Sequence, residues 1–204
     1  MKCYYLNVAK KSIHMIRGGK QLAALRAAAR QEIVDVLERL GSASVAELAA
    51  AVGRPADALY FHLRALSRAG LVRTAGLRLR GGRSEALYCT TAPELMLQYE
   101  PENKANRDAV SAIVASMLRL TMRDFRDSFR PGNVCVSGAG RELWAARKVG
   151  RLASQQLGAL NTGIAALLER LAAKSTQKGR LYAVTVVLTP IDHRGTGRKG
   201  DEQK

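Results

Sequence analysis

Regularly spaced arginine and aromatic residues carry most of the chemistry that this 204-residue sequence offers. A helix that starts at Pro55 and runs to about Ala69 would bury Leu59, Leu63 and Leu66, because each residue advances about 100° around a helix. The opposite side then carries Asp57, Ala58, Tyr60, Phe61, Arg64 and Arg68. Guanidinium groups bind phosphates and guanine. Where a helix lies in a DNA groove, its N-terminal half contacts the edges of the bases.

A second group of arginines surrounds a pair of glycines. This group comprises Arg78, Arg80, Gly81, Gly82 and Arg83. Two glycines between the alternating runs Leu77–Arg80 and Glu85–Cys89 are typical of a β-hairpin turn. Glycine allows close approach of the backbone, and a neighbouring arginine can enter a minor groove. With Arg54 ahead of the helix, these cations predict contacts with nucleic-acid phosphates.

The elements that must position these residues follow from periodicity and end signals. An apolar stripe predicts a helix over Leu22–Leu40, which Gly41 ends. Ser44 and Glu47 form a capping box for a short helix over about Val45–Val52, and Gly53 then breaks the chain. Three helices followed by a strand at Leu71–Thr74 and the hairpin predict a winged helix-turn-helix.

Residues 24–92 resemble the ArsR-type winged helix-turn-helix of bacterial transcription regulators. The run from His62 to Leu71 contains the whole His-Leu-x-x-Leu-x-x-Ala-Gly-Leu pattern of that family, and Val45-Ala46-Glu47-Leu48-Ala49 fits the preceding helix. The resemblance implies a regulator that binds duplex DNA. Metal-sensing members carry Cys-x-Cys in this domain. Val45–Val52 holds no cysteine, so that mode of sensing is not expected.

The remainder of the chain is expected to form a second domain. Long helices are predicted over Ala105–Phe129 and Ser154–Lys174, with strands at Leu143–Val149 and Leu181–Leu188. The expected organisation is a disordered basic arm (1–20), the winged domain (21–92), a dimerisation domain (93–192) and a disordered tail (193–204). The fold class is mainly α, or α+β. The sequence leaves open whether residues 1–14 belong to the native protein, since Met15 could be its start.

The first long helix is the expected dimer interface, because proteins that read palindromic DNA are commonly two-fold dimers. Its stripe consists of Val110, Ile113, Val114, Met117, Leu118, Thr121 and Phe125. The region around Trp144 admits two interpretations, a plain core or a pocket for an unknown small-molecule effector, and the core is preferred. This second half resembles the extra dimerisation domain of larger ArsR-like regulators.

Composition narrows the class of protein further. The net charge is +16, and it is positive in the arm, in the winged domain and in the remainder alike. Such a balance favours polyanionic partners. Cys3, Cys89 and Cys135 are too widely spaced for a disulfide framework or a metal site, so three idle thiols are preferred over a thiol sensor. The sequence gives no sign of a membrane span, a secretory signal, a cofactor motif or a catalytic signature.

The leading hypothesis is therefore a cytoplasmic transcription regulator that binds double-stranded DNA as a homodimer, with repression preferred over activation. It is expected to be no enzyme and to need no cofactor or metal. The alternative is a winged-helix module for RNA, ribosome or nucleoid association without sequence-specific regulation. The sequence leaves open whether the protein activates or represses transcription, which operator it binds and which genes it regulates.

Overall fold

A computed structural model describes residues 13–130, 132, 134–172 and 180–191. The expected tail and most of the expected arm lie outside these residues. Eleven elements are formed within them. In chain order they are β1 (Ile13–Ile16), α1 (Gly19–Leu25), α2 (Ala28–Leu40), β2 (Ala43–Ser44), α3 (Val45–Val52), α4 (Ala56–Arg68), β3 (Val72–Arg80), β4 (Arg83–Thr90), β5 (Glu94–Leu97), α5 (Lys104–Asp127) and α6 (Ser154–Ala172).

The chain divides into two compact units, one through Trp144 and one from Ala145 onward. The expected division near Pro93 lies inside the first unit, because α5 packs against α1 and α2. The expected class is confirmed: a winged helix-turn-helix of mixed α/β structure precedes a helical C-terminal region.

The helix expected over Leu22–Leu40 is two helices. Ala27 has extended backbone, with φ −96° and ψ 123°, and it separates α1 from α2. The Gln31 amide donates to the Leu25 carbonyl at 2.6 Å, and the Arg30 guanidinium donates to the Ala24 carbonyl. These side chains replace the backbone donors that the carbonyls at the end of α1 lose at the break.

A short parallel sheet forms where the sequence predicted an irregular arm. β1 pairs with β5 in the register Ile13 to Glu94 through Ile16 to Leu97. Ile16 is buried in the core, and the Leu95 amide donates to the Glu38 carboxylate at 2.8 Å. The prediction of a structureless arm is therefore wrong for residues 13–16.

The helix-turn-helix itself follows the sequence closely. The Ser44 amide donates to the Glu47 carboxylate at 2.9 Å, and the Glu47 amide donates to the Ser44 hydroxyl at 3.3 Å, as a capping box requires. Gly53 ends α3 in the left-handed region at φ 64°, where L side chains are strained. Leu59, Leu63 and Leu66 then point from α4 into the core, where each is almost fully buried.

The wing is longer than the sequence predicted. The two short strands expected before the turn are one strand, β3, which is irregular between Thr74 and Gly76. β3 pairs antiparallel with β4, and β2 completes a sheet of order β2-β4-β3. Gly81 and Gly82 have φ values of 56° and 77°, so both turn positions use conformations that glycine adopts without strain.

The two C-terminal helices, α5 and α6, differ in how much of their apolar surface is buried. Asn103 caps α5, and Val110 and Ile113 lie in the core of the first unit. The leucines of α6 remain partly exposed. The strands expected at Leu143–Val149 and Leu181–Leu188 are not formed, since both segments have no regular secondary structure. β-branched sequence favours a strand only where a neighbouring strand completes its hydrogen bonds.

Candidate nucleic-acid interface

The outer face of α4 is built as the sequence predicted. Every residue expected on this face is exposed, namely Asp57, Ala58, Tyr60, Phe61, Arg64 and Arg68. Phe61 is 68% exposed although it is a large apolar side chain. The buried leucines on the other side fix the rotation of the helix, so this face is presented to solvent along the whole of α4.

His62 lies between the buried and the exposed sides of α4. It is half-buried, and the edge of its ring meets the Phe61 ring at a centroid distance of 5.4 Å. Burial lowers its pKa, and the cations Arg30 and Arg54 lower it further. A neutral ring is therefore favoured, which agrees with the packing role expected from the sequence.

Arg54 is engaged inside the protein. Its Nε donates to Oε2 of Glu32 on α2 at 3.1 Å. The other oxygen of Glu32 accepts from Arg123 on α5 at 2.6 Å, and this contact raises the pKa of the Arg123 guanidinium. Arg54 was expected at phosphates, but the structure gives it a partner on the same chain.

Arg78 is engaged in the same way. Its guanidinium donates to Glu47 of α3 at 2.9 Å and to Glu85 of β4 at 3.1 Å. The hydrogen bonds to both carboxylates raise its pKa. Arg78 therefore ties the wing to α3, and its expected contact with DNA stays a prediction.

The tip of the wing keeps its other cations at the surface. Arg80 and Arg83 face each other across the last pair of the hairpin, with Gly81 and Gly82 between them, and all four are exposed. Arg73, which the sequence analysis did not single out, adds an exposed cation farther down β3. Its position next to the apolar Val72 in the predicted strand Leu71–Thr74 was the available signal.

The expected dimer face of α5 is split by the structure. Val110 and Ile113 are buried in the core of their own unit, and Val114 packs against that core. The Gln31 amide also donates to the Ile113 carbonyl at 3.1 Å. Met117, Thr121 and Phe125 are half-buried and Leu118 is exposed. Val110, Ile113 and Val114 pack inside their own unit, so they are not available to a partner subunit. The predicted dimer interface therefore remains a prediction only for the C-terminal half of α5.

Trp144 forms no core, contrary to the preferred expectation. It is 71% exposed, and the Arg141 guanidinium lies 4.1 Å from its ring centroid in a cation–π contact. An open cavity of about 340 Å³ lies elsewhere, between α1 and the start of α5, with Arg17, Arg26 and Glu100 in its lining.

The described residues offer no metal centre and no membrane span. No cluster of three or more His, Cys, Asp or Glu side chains lies close enough together to hold a metal ion in that part of the chain. Cys89 is buried and Cys135 exposed. No helix in the same residues is both long and apolar enough to cross a bilayer.

A comparison with known protein families identifies the type of domain that carries α3 and α4. Residues 27–75, which include α3 and α4, match a family model described as a helix-turn-helix domain. The match covers 49 of the 204 residues. No curated protein matches the chain significantly. The chain thus contains a helix-turn-helix domain of the winged type, a domain that supports DNA binding and transcription regulation.

Proposed function

We propose that this protein is a transcription regulator of ArsR type that binds duplex DNA sequence-specifically as a homodimer and represses transcription. The observation that carries the proposal is the exposed face of α4 together with the exposed basic tip of the wing. The exposed aromatic pair Tyr60 and Phe61, on a helix that also holds Arg64, suits a major groove, where base edges and thymine methyl groups lie. No catalytic step and no cofactor enter this proposal.

The residues in the N-terminal half of α4 are assigned to sequence specificity, and the arginines farther along α4 and on the wing are assigned to affinity. Tyr60, Phe61 and Asp57 occupy the N-terminal half of α4, the part of a recognition helix that reaches base edges. Arg64 and Arg68 lie farther along, and Arg80 and Arg83 lie on the wing. Contacts of arginine with phosphates supply affinity for any duplex and release counterions.

A homodimer is proposed because large apolar side chains remain at the surface of the two long helices. On α5 these are Leu118, Met122 and Phe129, the last just beyond its end. On α6, apolar side chains recur at alternating steps of three and four residues, at Leu157, Leu160, Ile164, Leu167 and Leu171, and all of these except the half-buried Ile164 are exposed. This spacing matches the seam of a coiled coil, in which a second copy covers the stripe.

The proposal is tested by selecting duplexes from a random DNA pool with the full chain and footprinting the enriched sequence. Two protected half-sites about 34–36 Å apart are expected, one for each recognition helix. Affinity should fall steeply with salt and should differ strongly between the selected duplex and a shuffled one. Equal affinity for both duplexes, or a preference for RNA, would favour a nucleoid-associated or RNA-binding module instead.

Repression is tested on the same sequence. Purified protein is added to an in vitro transcription reaction whose promoter overlaps the selected site. A fall in transcript is expected, because a bound dimer would block the polymerase. A rise in transcript would contradict repression but would leave the DNA-binding proposal intact. Arg64→Ala is the control, since it should require more protein for the same effect.

A further inference from the structure

The open cavity between α1 and the start of α5 has a volume of about 340 Å³, and its lining contains no residue of α4 or of the wing. The α1 wall is one side of that helix, where positions recur at steps of three and four residues, and it includes Gly19, Ala23 and Arg26. Ala105 and Ala109 line the cavity from α5. Because most of these side chains are small, the two helices leave space between them.

Two arginines of the lining have guanidinium groups that the protein does not use. Arg17 directly follows β1, and Arg26 directly follows α1. Both are exposed, and among the described residues neither guanidinium takes part in a hydrogen bond or an ion pair. A guanidinium presents paired N–H donors that match the geometry of a carboxylate. The two arginines therefore indicate a ligand with an anionic group.

One carboxylate lines the same cavity. Glu100 is half-buried, and its oxygens accept from the side-chain amides of Gln98 at 3.3 Å and of Asn103 at 2.9 Å. Asn103 also caps α5, so these contacts fix the carboxylate at the start of that helix. A carboxylate can accept about four hydrogen bonds, so Glu100 can still bind a cationic donor. The cavity thus offers both signs of charge.

The rest of the lining is apolar or already engaged. Leu22 is buried in the core, and Ala109 packs against that core. Asn106 is buried, and its side chain accepts from the Glu100 amide at 2.9 Å and donates to the Gln98 carbonyl at 3.1 Å. The volume lies near the lower end of small-molecule sites, which occupy about 300–1,000 Å³. A matching ligand is therefore small, with an anionic group, a cationic group and an apolar body.

We propose that this cavity binds a free α-amino acid with an apolar side chain. The ligand carboxylate binds Arg17 and Arg26, its ammonium group donates to Glu100, and its side chain packs on Leu22 and Ala109. An organic acid would place an anion beside Glu100 with no cation to pair that carboxylate, and an amine would leave both arginines unpaired. The inference goes beyond the proposed function and does not depend on DNA binding.

The test titrates the full chain, by calorimetry, with the apolar L-amino acids from alanine to phenylalanine. At least one should bind with a Kd of about 0.1–1 mM, as expected for so small a ligand in an open site. Two analogues of the tightest amino acid are the matched probes, the acid without the ammonium group and the amine without the carboxylate. Each should bind about tenfold more weakly, because each loses one charge-assisted contact.

Charge variants test which residue holds each end of the ligand. Arg26→Gln should weaken binding of the amino acid and of the acid about tenfold and leave the amine unchanged. Glu100→Gln should weaken binding of the amino acid and of the amine and should not weaken the acid. Arg119→Gln removes an exposed guanidinium of α5 that lies outside the lining, and it should change none of these affinities.

A cavity-filling variant tests the site without changing its charge. A Cβ at Gly19 would meet no atom within 4 Å, so Gly19→Leu should keep the Tm of the wild-type protein without ligand. It should abolish binding of the amino acid. If Arg26→Gln or Glu100→Gln lowers the Tm, Gly19→Leu decides the question.

Three results would overturn the inference. They are no binding of any apolar amino acid at about 10 mM, equal binding of the acid or the amine, and binding to Gly19→Leu as tight as to wild type. No DNA is present in these titrations. Failure to select a duplex would therefore contradict the proposed function alone, and failure to bind an amino acid would contradict this inference alone.

Discussion

Arg54, which directly precedes the proline at the start of α4, donates its Nε hydrogen to the Glu32 carboxylate of α2 at 3.1 Å. The Glu32 side chain is mostly buried, and Arg123 of α5 binds its other oxygen. One carboxylate thus joins the start of α4 to α2 and to α5, the helix that carries part of the proposed dimer surface.

Arg54→Ala should therefore lower the free energy of unfolding by about 1 kcal/mol, the upper range for a partly exposed ion pair. It should leave the salt dependence of DNA binding unchanged. Arg64→Ala is the matched control, because its guanidinium is exposed on α4. It should preserve stability and reduce the slope of log K against log salt by about 1. The reverse pattern in urea titrations and salt series would place Arg54 on a phosphate.

The capping box of α3 gives the domain a dependence on acid. The Ser44 backbone amide, and then Arg78, hold the pKa of Glu47 below its ordinary value of 4.5. A carboxyl whose pKa is lowered on folding stabilises the folded state above the ordinary value and loses that effect as the pH falls through the lowered one. Wild-type protein should therefore be more stable than Glu47→Gln at neutral pH, and the difference should shrink below pH 4.5.

Urea unfolding at several pH values measures this difference. Glu85→Gln serves as the control, because Glu85 contacts Arg78 but caps no helix. A gap between wild type and Glu47→Gln that stays constant down to pH 3 would contradict the assignment of the acid dependence to the capping box.

Substitutions on α4 and on the wing should have different signatures. Phe61→Ala or Tyr60→Ala should change the order of preference among selected duplexes, because these side chains are expected at base edges. Arg83→Ala should weaken binding to all duplexes alike, because phosphates carry no sequence information. Competition assays with a panel of single-base variants of the selected duplex measure both effects. A uniform loss with Phe61→Ala would remove that residue from base recognition.

The two parts of α5 should respond differently to truncation. Ile113→Ala should destabilise the fold by about 2–4 kcal/mol, because Ile113 is buried in the core and truncation leaves a cavity. Met122→Ser should leave the fold intact and shift the protein from dimer to monomer, because Met122 is exposed. Sedimentation across a range of concentrations, with urea unfolding alongside, separates the two. A wild-type monomer at micromolar concentration would contradict the dimer outright.

The sequence was sufficient for the helix-turn-helix because its signals are local. Ser44 and Glu47 are three residues apart, and the leucines of α4 recur within one helix. The break at Ala27 was missed because the apolar stripe continues across it from Leu22 to Ile33, while the side-chain contacts that allow the break need the fold. The same limit applies to Arg54 and Arg78, whose carboxylate partners come from other elements.

The pairing of β1 with β5 has a consequence for how the chain is made. Ile13–Ile16 leave the ribosome early, whereas their partner Glu94–Leu97 follows only after α1 to α4 and the whole hairpin. Contacts between distant segments form late, since closing a long loop costs entropy before any contact compensates it. During synthesis β1 therefore stays unpaired until β5 has emerged, while α4 and the wing can already fold.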